Sequence, residues 1–240
     1  MFQANPTIRR LENDGVVTQP LTYNGVIHRT GILLLITALT FALTWRGLET
    51  GQLTQNVAIG GMIAGLVLAL IIIFARVTNP FVIAGYAAAE GVLLGAVSYF
   101  ANLKYPGVAL EATVATMGCF LVVLWLYSIN VLRATPMFVK IISAALFGIL
   151  AIYLVSMVAG FFGHSMTFLH DSSPLSIGIS LVVVVVASLS FVIDFAAIDH
   201  AVARGVDARQ GWHFAFCLLV GLVWLYLELL RLMTKLRSRD

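Results

Sequence analysis

Apolar residues fill the chain in long runs, and the polar positions gather into short hinges between them. A run of about 20 apolar residues is what a helix needs to cross the hydrocarbon core of a bilayer. Seven such runs fall at 30–46, 57–75, 81–103, 110–131, 137–162, 175–198 and 212–233. The hinges read "RGLETGQLTQN", "RVTNP", "NLKYPG", "LRATP", "GHSMTFLHDSSP" and "RGVDARQG". Each carries Gly, Pro, Asn or charge, which stops a helix and satisfies or solvates its last carbonyls. None is long enough to hold a soluble domain. The pattern predicts an all-α integral membrane protein: a seven-helix transmembrane domain over 30–233, a polar N-terminal arm over 1–29 and a basic tail over 234–240. The arm lacks the basic, apolar, small-residue order of a cleaved leader, so the first span is expected to act as an uncleaved insertion signal.

Composition strengthens the membrane assignment. Hydrophobic residues make up 60% of the 240 and charged residues 10%, against roughly 25% charged in a soluble domain. The 14 Lys and Arg then bear on orientation, because basic residues favour the cytoplasmic side. With the N-terminus inside, that side receives Arg9, Arg10, Arg29, Arg76, Arg133, Lys140, Arg204 and Arg209, while the opposite loops hold Arg46 and Lys104. The tail residues Arg231, Lys235, Arg237 and Arg239 oppose this unless the last segment turns back. Full crossing is the expectation, since 212–233 is long enough to span. No basic stripe is interleaved with stacking aromatics, so nucleic acid is excluded as a partner. Cys119 and Cys217 fall inside apolar runs and behave as small hydrophobes.

Small residues speak to packing. Gly61 and Gly65 are four apart, as are Gly91 and Gly95, which lets backbones approach on those faces; packing within one chain is the expected use. "LVVVVVA" at 181–187 has no amphipathic period and suits a span with apolar surroundings on every side.

Chemistry can live in the rare ionisable residues. A carboxylate near the bilayer centre costs about 2.5–3.5 kcal/mol on insertion scales, so it faces a bundle interior, a partner or water. At about 1.5 Å per residue, Glu90 lies a few ångströms from the midplane, Asp194 roughly 12 Å to the cytoplasmic side and Glu228 roughly 9 Å to the other. Glu228 precedes Arg231 by three residues, so the two can pair on one helical face. Asp194 stands near a helix end, where headgroups and water can meet it, and Asp199 and His200 one turn on are expected to be solvated. Glu90 has no base within one turn along its helix. His28, His164, His170 and His213 sit at or near span ends without metal-ligand spacing.

Six segments carry a family resemblance: "NPTIRRLE", "YNGVIHRTGILL", "AAAEGVLLGAVS", "YPGVALEATVAT", "FVIDFAAID" and "GWHFAFCLLVGLVWLYLELLRLM". Through them the chain resembles the bacterial branch of the Bax inhibitor (transmembrane Bax inhibitor motif) superfamily over nearly its whole length. The resemblance implies a seven-helix bundle whose last helix is central. It also implies a pH-sensitive calcium leak, in which acids of the last two helices close the pore when they share a proton and open it when both ionise. Asp194 in "IDFAAID" matches the first acid, and Glu228 in "YLELL" is the nearest match to the second. The spans separate these two by roughly 20 Å in depth, which leaves Glu90, Asp199 and His213 as alternatives for completing the switch, with Arg231 in support.

The expected function is therefore a pH-gated cation leak with Asp194, Glu90, Glu228 and Asp199 along its path. Calcium takes hard oxygen ligands, and isolated carboxylates suit passage better than storage. Calcium is then the permeant ion, held transiently at Asp194 and Glu90, with no resident cofactor and no fixed metal site. Membrane lipid is the constant partner, and the bacterial inner membrane with a cytoplasmic N-terminus is the expected location. The chain has no "GxSxG" and no "HExxH", and no enzymatic activity is expected. Two alternatives stay open: a proton-coupled transporter using the same acids, and a regulatory protein that binds a membrane protease or other membrane partner.

Overall fold

The computed structural model describes residues 19–161, 171 and 173–239. Arg9, Arg10, His164 and His170 lie outside the described residues. Within them, seven helices are long and apolar enough to cross a membrane. They are α1 (Tyr23–Glu49), α2 (Asn56–Phe74), α3 (Pro80–Lys104), α4 (Val108–Ser128), α5 (Pro136–Phe161), α6 (Pro174–Ala203) and α7 (Gly211–Arg237), with a short 3-10 turn over Ala208–Gln210 before the last.

Apolar runs place the helices, but capping residues set their ends. Thr22 accepts the Gly25 N–H on its side chain, so α1 begins at Tyr23, well before the apolar run, and takes in residues that composition assigns to the arm. Asn79 caps α3 through Phe81 N–H, with Pro80 in the first helical position. Ser173 caps α6 through Ser176 N–H, followed by Pro174. A proline there loses nothing, because the first N–H groups of a helix have no internal partner. α7 continues past its apolar run to Arg237. Polar residues inside spans satisfy themselves locally: Thr30, Thr37, Thr40 and Thr116 each return a hydroxyl to the carbonyl four residues back, the usual solution where water is absent.

Glycines decide how closely the first three helices approach. A Cβ on Gly91 would lie 1.9 Å from Thr40 Oγ1 and 2.3 Å from Thr37 O, and one on Gly95 would lie 2.6 Å from Phe41 O. The α3 face bearing this pair thus lies directly on the α1 backbone, and Thr37 Oγ1 donates to Ala87 O across the contact at 3.0 Å. Gly61 of α2 meets Leu93 N and Ala89 O of α3 in the same manner. Both glycine pairs therefore serve packing within the chain.

α7 is the most buried helix. Of its most apolar stretch 61% is buried, against 6% for α5, and its main packing partners are α6, α1, α4 and α3. Phe191 of α6 lies over Gly221, and Tyr86 of α3 meets Phe216 edge-on at 4.9 Å. α2 packs chiefly on α3 and α5 on α6, so these two present most of their apolar surface outward, as a lipid solvent permits. In "LVVVVVA" the surroundings are two-sided: Val183, Val184 and Val186 are buried, whereas Leu181, Val182 and Val185 are exposed.

The bundle has two distinct ends. At one, the segment before α1 pairs with the α6–α7 hinge, with Leu21 N–H donating to Val206 O and Ala208 N–H to Gln19 O. At the other, Arg237 donates to Pro106 O in the α3–α4 hinge and pairs with Glu111, while Lys235 donates to Ser180 Oγ near the start of α6 at 2.8 Å. α7 therefore runs the whole length of the bundle, and its basic end stands opposite the start of α1.

Candidate functional site

The four acids fall into environments of three kinds. Glu228 is 1% exposed and well supplied with donors. Tyr153 of α5 gives its hydroxyl to Oε1 at 2.8 Å, Trp224 gives its indole N–H at 3.2 Å, and Arg231 lies 3.3 Å from Oε2. Arg231 also donates to the Tyr153 hydroxyl at 2.8 Å and sits 5.1 Å over its ring. The one-turn spacing of Glu228 and Arg231 produces the pair that sequence suggests. The tyrosine comes from a helix far away in sequence, and no local pattern points to it. An acid held this way is neutralised in place and ties α5 to α7.

Among the described residues neither Glu90 nor Asp194 has a basic partner. Glu90 is 8% exposed, and its Oε1 fills the space beside Gly65 of α2, where a Cβ would come within 2.7 Å. Tyr86, one turn earlier on α3, is its side-chain neighbour. Asp194 is half-buried, and among the described residues it makes no hydrogen bond and no ion pair; Cys217 of α7 is its electrostatic neighbour. Tyr86 in turn interacts with Cys217, so Glu90, Tyr86, Cys217 and Asp194 are successive electrostatic neighbours on α3, α7 and α6. His213, one turn before Cys217, has its Nδ1 buried without a hydrogen-bond partner among the described residues, and its ring lies 5.9 Å from Phe216. Glu228 lies 11 residues along α7 from Cys217, or about 16 Å of helix rise, so it cannot share a proton with Asp194.

Asp199 departs from expectation. It is half-buried and accepts the Tyr127 hydroxyl of α4, with Tyr23 as a second neighbour. Water is not its only partner because α6 continues beyond the apolar run and α4 lies against it there. These groups lie along a cavity of about 910 Å³ between α1, α4 and α6. Arg133 and His200 join them at its polar end, and Ile27, Leu34, Phe120, Leu124 and Leu218 form its apolar wall. The cavity reaches Phe195 and Ala196, adjacent to Asp194 in the chain. Among the described residues no group of three His, Cys, Asp or Glu is arranged to hold a metal ion.

Sequence reasoning finds the acids and misses the tyrosines. Tyr86 is legible in principle, four residues before Glu90 on one helical face. Tyr23, Tyr127 and Tyr153 reach their acids from other helices, which only packing can arrange.

This architecture coincides with a family pattern. The model of the Bax inhibitor 1 like family matches residues 3–238, nearly the whole chain. No curated protein and no solved structure gives a significant match. A match over that span, on a chain with seven membrane-length helices, shows that this multi-pass membrane protein belongs to the Bax inhibitor 1 like family.

Proposed function

We propose that the protein is a cation leak pathway that passes calcium and is gated by protonation of intramembrane carboxylates. One observation carries this reading: among the described residues Glu90 and Asp194 lie in the spans without a countercation, while Glu228 is neutralised by Arg231. A carboxylate held within a span without a cationic partner is costly as an ion, and a passing hydrated cation supplies the missing charge. Calcium favours such hard oxygen ligands, and single spaced acids bind an ion weakly enough to release it. The Asp199 cavity supports the reading as a mouth, since its polar groups lie five residues from Asp194 on the same helix and its apolar wall reaches the neighbouring Phe195. Neutralising the acids removes the attraction, so flux should fall as pH is lowered. The role needs no catalysis and no resident cofactor. The basic hinges at the α1 end support a cytoplasmic N-terminus in a bacterial inner membrane.

Calcium flux into dye-loaded liposomes across a pH series tests the proposal. The parent should conduct more at neutral than at acid pH, and Glu90→Gln and Asp194→Asn should each lower the neutral flux several-fold while remaining folded. Parental flux in both variants would remove the acids from the path.

A second reading has an observation of its own. The succession Glu90, Tyr86, Cys217 and Asp194 has the composition of a proton relay, which favours proton-coupled transport. A lumenal pH dye separates the two: calcium influx with a stoichiometric proton efflux supports coupling, and influx without it supports the leak.

A further inference from the structure

Away from the acids, two guanidiniums converge on one pocket at the end of the bundle where α1 starts. The pocket has a volume of about 550 Å³, and its wall includes Arg29, Arg209, Trp212, Thr78, Asn79 and Asp207. Arg29 is fixed in place. Its Nη1 donates to Gly25 O at 2.9 Å, and the guanidinium lies 5.7 Å from the centre of the Trp212 ring. That nitrogen occupies space a side chain would fill, since a Cβ on Gly25 or Gly211 would come within 2.9 or 2.6 Å of it. A guanidinium offers five donors in a rigid fork, so most of those on Arg29 remain for a ligand. Among the described residues neither Arg29 nor Arg209 forms an ion pair. Asp207 is the acid in the wall, and its Oδ1 accepts the Arg209 backbone N–H at 2.7 Å. Two arginines against one aspartate leave the wall with a formal charge of +1.

Depth selects the ligand. The pocket is built at the ends of spans, where tryptophans and lipid headgroups meet. Basic pockets between membrane helices at this level take up phosphate headgroups, and guanidinium forks match phosphate oxygens two at a time.

We propose that this pocket binds the phosphate of an anionic phospholipid, with Arg29 and Arg209 as its ligands and Trp212 against the glycerol region. The site is separate from the acids and does not rest on the leak reading. The test is native mass spectrometry of the full chain in detergent, titrated with phosphatidylglycerol. The parent should retain one lipid per chain. Arg209→Gln, at an exposed hinge residue where folding is not at stake, should weaken apparent affinity about tenfold, the scale of one lost charge-assisted contact. Arg29→Gln should do the same, and Arg204→Gln, on an exposed arginine outside the pocket, should leave binding unchanged. Parental affinity in Arg209→Gln overturns the proposal. So does an equal loss in Arg204→Gln, which would mean diffuse surface charge, or equal retention of phosphatidylcholine. Displacement of the lipid by an equal concentration of inorganic phosphate would make free phosphate the ligand and overturn the lipid assignment.

Discussion

Glu228→Gln and Asp194→Asn are the same chemical change in opposite surroundings, and the structure predicts opposite consequences. At Glu228 the carboxylate accepts from Tyr153 and Trp224. A hydrogen bond to a charged group contributes about 1.5–3 kcal/mol and a neutral one about 0.5–1.5, so removing the charge costs about 1 kcal/mol for each donor. The Arg231 pair adds less than the full cost of a buried ion pair. Its side chain is 38% exposed and can turn to water, which limits that loss to about 1 kcal/mol. The sum is about 3 kcal/mol. At about 2–4 °C per kcal/mol, the soluble-protein scale for this chain length, Tm should fall by roughly 6–12 °C. Asp194 has no bond to lose among the described residues, so Asp194→Asn should melt within about 2 °C of the parent. Calcium flux should order the variants the other way, with Asp194→Asn conducting poorly and the folded fraction of Glu228→Gln conducting like the parent. Thermal melts followed by tryptophan fluorescence in detergent, beside liposome flux, read both quantities. The reasoning fails if Glu228→Gln melts with the parent while Asp194→Asn is the variant that unfolds.

Packing and topology give two further outcomes. Gly91→Ala forces a Cβ to 2.3 Å from the Thr37 carbonyl of α1, and overpacking against backbone costs about 1–3 kcal/mol; Gly60→Ala, with nothing within 4 Å, should be near neutral. Equal melting temperatures for these two would contradict the close α1–α3 contact. Cysteines placed at Ser238 and Gln210 should react with a membrane-impermeant thiol reagent from opposite sides of sealed vesicles, and labelling of both from one side would mean that α7 does not cross.

By itself the sequence determined the architecture, because a bilayer leaves little choice. Backbone groups in lipid must bond within their own segment, so each apolar run of sufficient length is a helix, and the seven runs became α1 to α7. The rare acids were equally legible, since a charge in an apolar run stands out wherever the helix goes. Even the Glu228–Arg231 pair was visible, being a spacing of three on one helix. Helix ends were less so: Thr22 starts α1 by a side-chain bond that carries no hydrophobic signal. What each acid meets was decided by tertiary structure alone. Gly65 lies beside Glu90, Cys217 beside Asp194, Tyr127 on Asp199 and Tyr153 on Glu228, and every one of these neighbours comes from another helix. Apolar periodicity shows that a helix is buried or lipid-facing, yet it is nearly uniform here and does not encode which face meets which partner. That selection came from close contacts such as Gly91 on Thr37 and Gly221 under Phe191, where only a missing side chain lets two backbones or a ring approach.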